Sequence, residues 1–308
     1  MTPMKILVLY GGPSVERDVS LVSGQACAEA LRGLGHEVEL FDFTGDVAAL
    51  VRALEARPEV VFNALHGRYG EDGSIQGLLD LMQVPYTHSG RLASALAMDK
   101  AAAKRVLDSV GLRCPGGSVM ARETVLAGDP LPRPYVVKPV CEGSSMGVVI
   151  VQPGDNDLPF THADWPFGEE VLVEPYIRGR ELTVSVMEDH ALAVTELRPR
   201  QGFYDYTAKY TEGKTEHILP APVSSRVYEA AMAQAVAAHQ ALGCRGVSRA
   251  DFRYDDQQES ETDTGLYLLE VNTQPGMTPL SLVPEQAAHL GIPFNELVQW
   301  MVEHASCD

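Results

Sequence analysis

Cysteine is scarce in this chain, and none of it suggests a framework. The five, Cys27, Cys114, Cys141, Cys244 and Cys307, include no CxxC pair. An odd number without such pairs excludes a zinc knuckle and a disulfide-stapled fold, and suits reduced thiols in the cytoplasm. Long apolar runs are missing too, since none approaches the roughly 18 residues of a membrane span. The first apolar run, Ile6-Leu-Val-Leu-Tyr10, is too short for a signal core and passes straight into Gly11-Gly12, so it reads as a strand. Positive charge is in deficit: 24 Lys+Arg against 42 Asp+Glu gives a net charge of −18. A chain this acidic is a poor partner for nucleic acid or an anionic membrane. If it handles a polyphosphate it must supply positive charge locally, so each lysine in a Gly-rich setting is informative. There is no internal repeat and no low-complexity tract. What is present is 308 residues, 45% of them hydrophobic, enough for a well-buried core over two or three domains.

Residues 4–95 alternate strand and helix signals, with strands at 5–10, 37–43 and 60–65 and helices at 19–34, 46–56 and 74–82. The βαβ order predicts a parallel sheet with right-handed crossovers, whose ligands sit beyond the C-terminal ends of the strands. Two Gly-rich loops fall at such ends. Gly11-Gly-Pro-Ser-Val-Glu16-Arg17 is not GxGxxG, which argues against a dinucleotide. Its Glu16 stands where a helix begins, either as a partner of the helix dipole or as the holder of a substrate ammonium. His66-Gly-Arg68-Tyr-Gly-Glu71-Asp-Gly73 packs His, Arg and Glu between three glycines. That is dense for a plain turn and favours a substrate-orienting His66.

From residue 96 to 183 the pattern changes to a helix at 99–110 and short strands at 117–121, 135–138, 148–152, 170–174 and 181–187, an antiparallel meander. One strand carries Lys138 and leads into Glu142-Gly-Ser144-Ser145-Met-Gly147. Backbone N–H groups and hydroxyls of such a loop can cradle phosphates, with the lysine as a point cation. The loop lacks the GK[ST] and following helix of a Walker A motif, and a mobile hairpin turn would look the same. In the stretch 171–177, which holds Glu174, Tyr176 and Ile177, an edge backbone could meet a planar base. Glu174 and Glu181 would then face its amino group and ribose hydroxyls, although solvated carboxylates fit the spacing equally. Residues 153–168 read as an irregular surface segment. Residues 199–222, which hold Phe203, Lys209 and Tyr210, read as a long ordered lid loop. An Ala-rich core helix at 224–242 follows, and helices from 284 and at 293–304 close the chain.

Between those helices lie strands at 246–254 and 265–272. Side chains at i and i+2 of a strand share a face, so Glu270 pairs with Asn272 and Arg249 with Asp251. If the strands are neighbours, two carboxylates and an amide form an all-oxygen cage for a hard cation, with a guanidinium beside it. Mg²⁺ held by few protein oxygens and completed by phosphates is how ATP is bound and split. A solvated acidic hairpin edge remains the alternative on pattern alone.

Taken together, the motifs resemble the D-alanine–D-alanine ligase family of ATP-grasp enzymes over nearly the whole chain. The matching pieces, in order, are Gly11–Ser20, His66–Gly73, Met98-Asp-Lys100, Glu142–Gly147, Phe203–Tyr210, Arg249-Ala-Asp251 and Leu269–Met277. The resemblance implies an α/β fold, α+β in its C-terminal parts. It would be an ATP-grasp enzyme with an N-terminal Rossmann-like domain (1–95), a central lid subdomain (96–183) and a C-terminal domain (184–308) carrying the mobile loop 199–222.

It further implies that Lys100, Lys138 and Lys209 neutralise phosphates, with Ser144, Ser145, Tyr176, Ile177 and Phe203 also at the nucleotide. Glu174 resembles the adenine reader, Glu181 the ribose binder and Leu269 the floor under the base. Asp251, Glu270 and Asn272 resemble the ligands of two Mg²⁺ or Mn²⁺ ions. Glu16 resembles the residue that fixes the first D-alanine, linked to Ser144 and Tyr210, with His66 nearby. Arg249 and the backbone at Gly276 resemble the oxyanion stabilisers, and Ser281 and Leu282 the acceptor site. The substrates implied are ATP and D-alanine, in a cytoplasmic homodimer. Tyr210 is similar to the residue of the dipeptide-forming subgroup rather than of ligases using D-lactate. Departures are Cys141, where a polar residue is common, and Leu280, where a His is common. Short stretches at 121–133 and 153–168 imply a compact central domain.

Overall fold

The computed structural model describes residues 2–155, 168–200 and 213–308. Phe203, Lys209 and Tyr210 lie outside the described residues, as do residues 201–212 of the expected lid and 156–167 of the segment 153–168. The first sheet is parallel, in the order β2-β1-β3, from β1 (Lys5–Gly11), β2 (Glu37–Phe43) and β3 (Val60–Asn63). The central strand β1 is buried on both faces, which explains its unbroken apolar run. Ile6 and Val8 pack toward α1 (Arg17–Gly33), while Leu7 and Leu9 pack toward α2 (Val47–Leu54) and α3 (Ser74–Met82). Alternate residues thus serve opposite layers, as strand geometry requires.

The helix expected at 99–110 is α5 (Lys100–Ser109), and a helix not foreseen, α4 (Arg91–Met98), precedes it. Asp99 ends α4 and caps α5, its carboxylate accepting from the Ala102 N–H at 2.8 Å. Such a cap contributes about 1 kcal/mol. The buried face of α5 is Lys100, Ala103, Lys104 and Leu107, helical spacing with two lysines where apolar residues are the rule.

The second sheet consists of β4 (Ser118–Ala121), β5 (Tyr135–Pro139), β6 (Val149–Val151) and β7 (Glu170–Pro175), all antiparallel, with α6 (Arg122–Leu126) after β4. Its order is β4-β7-β5-β6, so the expected meander is not formed: β7 returns to lie between β4 and β5. The strand expected at 181–187 also leaves this sheet. It is β8 (Arg180–Met187) and belongs to the third sheet, with β9 (His190–Pro199), β10 (Thr215–Ile218), β11 (Val247–Tyr254) and β12 (Leu266–Asn272). That sheet is antiparallel in the order β10-β9-β8-β11-β12. β9 and β10 were not foreseen, and β10 makes the end of the 199–222 stretch a strand rather than a loop.

Helix α7 (Ser225–Ala241) covers one face of the third sheet. Val227, Ala231, Ala235 and Ala238 meet Val184, Val194, Phe252 and Leu268 in one apolar cluster. Its small residues let the backbone approach the sheet closely. The last helices are α8 (Leu282–His289) and α9 (Phe294–Glu303), and Leu297, Val298 and Met301 of α9 pack with Ile6 and Val8 of the first sheet. This closing contact holds the β12 tail against the Gly-rich loops of the N-terminal sheet. The five cysteines are free. No helix among the described residues is long and apolar enough to cross a membrane.

Candidate active site

Strands β11 and β12 are antiparallel neighbours, with Asp251 opposite Glu270 and Arg249 opposite Asn272. Directly opposed residues share a face, so the four side chains gather as their alternation requires. The register then slips: Phe252 opposes Leu268, leaving Leu269 as the extra residue of a β-bulge. Arg249 grips Asp251 with both ends of its fork, Nε to Oδ1 at 2.9 Å and Nη2 to Oδ2 at 2.7 Å. The Thr183 hydroxyl donates to the same carboxylate at 2.7 Å. Asn272 Oδ1 accepts from the Gln274 N–H at 2.8 Å, which fixes its amide. All candidate metal donors are oxygens, the choice of Mg²⁺ and Mn²⁺. A carboxylate offers about four lone-pair sites, so Asp251 keeps room for a cation beside its protein partners. The third donor is an amide, and no three His, Cys, Asp or Glu side chains gather for a metal among the described residues. The set Asp251, Glu270 and Asn272 therefore fits a hard cation that draws its remaining ligands from elsewhere.

Two clefts meet at Glu270 of this cage, Asn272 lines the first of them, and Asp251 lines neither. The first is lined by Glu16, Ser144, Arg249, Gly276, Ser281 and Leu282, together with Glu270 and Asn272. The second lies between the second and third sheets and is lined by Lys138, Ser145, Glu174, Tyr176, Ile177 and Leu269. Lys100, Glu142 and Glu270 line both. The Lys100 ammonium donates to the Glu142 carbonyl and stands 3.5 Å from the Glu270 carboxylate. A lysine as the first residue of a helix opposes the helix dipole, a local cost common at functional positions.

The second cleft has apolar walls, including Val136, Ile150 and Leu269, and a charged end. There Glu174, 3% exposed, pairs with Lys138 at 2.7 Å and with Lys104. Glu181 turns toward a neighbouring groove, where Arg253 holds it at 2.8 Å. Arg253 also donates to the Tyr176 hydroxyl at 3.2 Å and to the carbonyls of Ile177 and Gly179 at 3.1 and 2.9 Å.

The loop between β5 and β6 reaches across to the first sheet. Ser144 and Ser145 both take left-handed backbone, at φ 50° and 58°, a strain that tends to mark binding sites. The Ser144 hydroxyl donates to the buried Glu16 carboxylate. Gly67 lies close behind Glu16: at φ +69°, a Cβ there would come 2.8 Å from its Oε2. The same close approach holds at Gly276, where a Cβ would be 2.8 Å from the Ser281 hydroxyl. That hydroxyl in turn accepts from the Thr278 N–H at 2.9 Å.

His66 stands behind the cleft wall rather than on it. Its Nε2 meets the Ser23 hydroxyl at 3.1 Å and its ring bonds the Gln274 backbone. Burial pushes this imidazole down to about 4, so it is neutral at pH 7. Glu71, by contrast, lines the first cleft. Burial, and then the Glu16 carboxylate, push it up to about 8, although the Gly67 N–H donated to it pulls the other way.

The sequence pattern does not single out Lys104, Arg253 or Gln274, nor a role for Glu71. Lys104 had a signal, since it lies four residues after Lys100 on one helix. So did Arg253, at i+2 from Asp251. Gln274 lies inside the Leu269–Met277 motif, but its partners, Asn63 and Leu65, are more than 200 positions away, so its task was not legible. Of the departures, Leu280 sits at the mouth of the first cleft, 47% exposed. The 121–133 stretch carries only α6, a helix of 5 residues.

Known proteins similar to this chain all point to one family. A family model described as D-ala D-ala ligase C-terminus matches residues 124–303, and one described as D-ala D-ala ligase N-terminus matches residues 46–89. The chain is 58% identical over 305 residues to a D-alanine–D-alanine ligase of Rhodospirillum rubrum, with 99% of each chain covered. It is 57% identical over 306 residues to one of Caulobacter vibrioides, covering 97% of this chain and 92% of that protein. Among solved structures it is similar to the D-alanine–D-alanine ligase of Bacillus anthracis complexed with ATP. The TM-score is 0.81 at 30% identity, over 98% of this chain and 97% of that one. A second structure of the Bacillus anthracis ligase gives a TM-score of 0.83 at 31% identity, over 97% and 96%.

Proposed function

The chain belongs to the D-alanine–D-alanine ligase family, and on that premise we propose that it joins two D-alanine molecules at the expense of ATP, making D-alanyl-D-alanine for peptidoglycan. The observation that carries the reading is the junction of the two clefts at Lys100, Glu142 and Glu270. A nucleotide in the second cleft would bring its terminal phosphate to the cleft lined by Glu16, Arg249 and Ser281. A carboxylate oxygen of the first D-alanine attacks the γ-phosphorus, the bond to the β,γ-bridging oxygen breaks, and ADP and D-alanyl phosphate result. The second D-alanine, its amine deprotonated, attacks the acyl carbonyl, and inorganic phosphate leaves.

Each residue then has a task. Glu174 and Leu269 receive the adenine, with the chain at Tyr176 and Ile177 along its edge, and Glu181 the ribose. Lys100, Lys138, Ser144 and Ser145 stand at the phosphates. In a site where the nucleophile and phosphate are both anionic, such charge neutralisation and positioning account for most of the acceleration. Asp251, Glu270 and Asn272 would hold Mg²⁺ or Mn²⁺, which supplies further neutralisation of phosphate charge. Glu16, fixed by Ser144, pairs with the ammonium of the first D-alanine. Arg249 and the backbone at Gly276 steady the oxyanion of the tetrahedral intermediate. Ser281 and Leu282 seat the second D-alanine. His66, neutral behind the wall, orients the loop around Glu16 through Ser23 and Gln274.

Phe203, Lys209 and Tyr210 complete the proposal as parts of a lid that keeps water from the acyl phosphate. The proposal includes three units, 1–95, 96–183 and 184–308, although β8 (Arg180–Met187) already lies in the third sheet. It also includes a homodimer in the cytoplasm, in keeping with the family resemblance and the free cysteines.

The test is ADP release coupled to product analysis with D-alanine, L-alanine and D-lactate, with Mg²⁺ and after chelation. D-alanine-dependent ADP release and a D-alanyl-D-alanine product, both lost on chelation, are expected. A depsipeptide formed from D-lactate in preference to the dipeptide near neutral pH, or no turnover with any D-amino acid, would sink the assignment.

A further inference from the structure

Helix α5 brings two buried lysines to the nucleotide cleft, one turn apart. Lys100 reaches the junction of the clefts, where it meets Glu142 and Glu270. Lys104 reaches the opposite end, where its ammonium binds Oε1 of Glu174 while Lys138 holds Oε2 at 2.7 Å. Lys104 and Lys138 are each 8% exposed and Glu174 3%, so this trio is closed off from bulk water. Glu174 and Lys138 line the cleft; Lys104 lies behind them. The stem of Glu174 is confined as well. A Cβ at Gly117 would stand 2.2 Å from the Val173 carbonyl oxygen and 3.0 Å from Glu174 Cγ, so only glycine lets that segment lie so close.

We propose that Lys104 is a positioning residue for base selection: by anchoring Glu174 from behind, it makes the cleft prefer a 6-aminopurine nucleotide over a 6-oxopurine one. This rests on the reading of the second cleft as the ATP site. A carboxylate accepts hydrogen bonds and does not donate them, and it offers about four lone-pair sites. Two are taken by the lysines, and the remainder suit an amino N–H on the base edge. A carbonyl oxygen at that edge would face an acceptor with another acceptor. Lys104 and Lys138 against Glu174 leave one net positive charge, 2 − 1 = +1. Without Lys104 the trio is a neutral pair. Glu174, free on one side, then folds onto Lys138, taking its charge from the nucleotide and turning its free lone pairs from the base.

ATP and ITP, which differ at the 6-amino or 6-oxo position, provide the test. Affinity is measured by calorimetry and kcat and KM by ADP release, for the whole chain and for K104M, K104Q and K104R. The wild-type chain should favour ATP over ITP by about tenfold or more, one good hydrogen bond's discrimination in a buried site. K104M should weaken ATP about tenfold and ITP far less, so that the ratio falls toward one. kcat at saturating ATP and KM for D-alanine should change little, and K104R should restore the preference. If K104M does not fold, K104Q, which keeps a donor to Glu174 without charge, is expected to lower the ratio in the same direction. Equal losses for ATP and ITP, a K104R as unselective as K104M, or a wild-type chain indifferent to the two nucleotides would overturn the inference. Nucleotide preference that depends on Lys104 without D-alanine-dependent ADP release would refute the ligase reading and leave this one standing.

Discussion

Leu269 and Glu270 are consecutive in β12, yet both line the nucleotide cleft. A regular strand would send them to opposite faces. The β-bulge between the Asp251–Glu270 and Phe252–Leu268 pairs removes that restriction, because Leu269 has no partner on β11. An apolar surface for a planar base and a carboxylate for a cation thus sit side by side. Glu270 and Asn272 lie beyond the bulge and keep their common face, with Val271 turned into the core between them.

The link from Ser144 to Glu16 joins loops 128 positions apart in sequence. Ser144→Ala and Ser144→Gly both remove the hydroxyl, but glycine also relieves the left-handed backbone, where a side chain costs roughly 1–2 kcal/mol. Both variants are expected to raise KM for the first D-alanine and lower kcat, by roughly tenfold or more in kcat/KM. Steady-state kinetics at saturating ATP measures this. A fully active Ser144→Gly would mean that the loop conformation, and not the hydroxyl, carries the effect.

Arg249 presents a planar fork to Asp251. Arg249→Lys keeps a charge and loses the fork, so it should lower kcat by roughly a hundredfold. Nucleotide affinity, read by calorimetry without divalent cation so that Asp251 does not enter, should stay within about threefold of wild type, since the proposed role of Arg249 is on transition-state charge. Loss of ATP binding in proportion to kcat would instead make Arg249 a nucleotide ligand.

Burial, and then the neighbouring Glu16 carboxylate, push the Glu71 carboxyl up from the ordinary 4.5 to about 8. Between those values the folded chain keeps a proton that the unfolded chain has lost. The stability that this group contributes is full below about pH 4.5 and is lost as pH rises through about 8. His66 and His88, both pushed down by burial, act in the opposite sense below about 6.5. The clean window is therefore about pH 6.5 to 8. Across it the melting temperature of wild type should fall relative to Glu71→Gln, by about 2–4 °C for each kcal/mol. Parallel melting curves of the two proteins across that window would exclude the raised titration.

Gln274 is 1% exposed and ties the β12 tail to the first sheet. Its Oε1 accepts from Asn63 Nδ2 at 2.6 Å, and its Nε2 donates to the Leu65 carbonyl. Gln274→Ala leaves that carbonyl without this donor and should cost about 1–3 kcal/mol. Urea denaturation gives the value, and a loss below about 0.5 kcal/mol would mean that water replaces the amide. Because Gln274 stands two residues before Gly276, KM for D-alanine is expected to rise in the same variant.

Most elements could be read from the sequence because they rest on local physics. Apolar periodicity located most of the helices, and Asp46, Asp99 and Ser224 cap three of them with their own side chains. Helix α4, Arg91-Leu-Ala-Ser-Ala-Leu-Ala-Met98, begins at Gly90 with no side-chain cap to mark its start. The cage was legible for the same local reason, the i, i+2 rule applied to Arg249 and Asp251 and to Glu270 and Asn272. Lys104 and Arg253 were visible as spacings but not as functions, since nothing local says which carboxylate a buried cation will meet.

By itself, then, the sequence determined the strand and helix periods, the shared face of the cage residues and the motifs that mark the family. Only the tertiary structure decided which sheet β8 joins, that β7 lies between β4 and β5, and that Leu269 turns to the same side as Glu270. It also decided that Lys104 lies behind Glu174 and that His66 lies behind the wall rather than on it. Strand partners, bulges and buried ion pairs are set by contacts between residues far apart in the chain, and such contacts depend on how the finished layers pack. No period within a single segment encodes them.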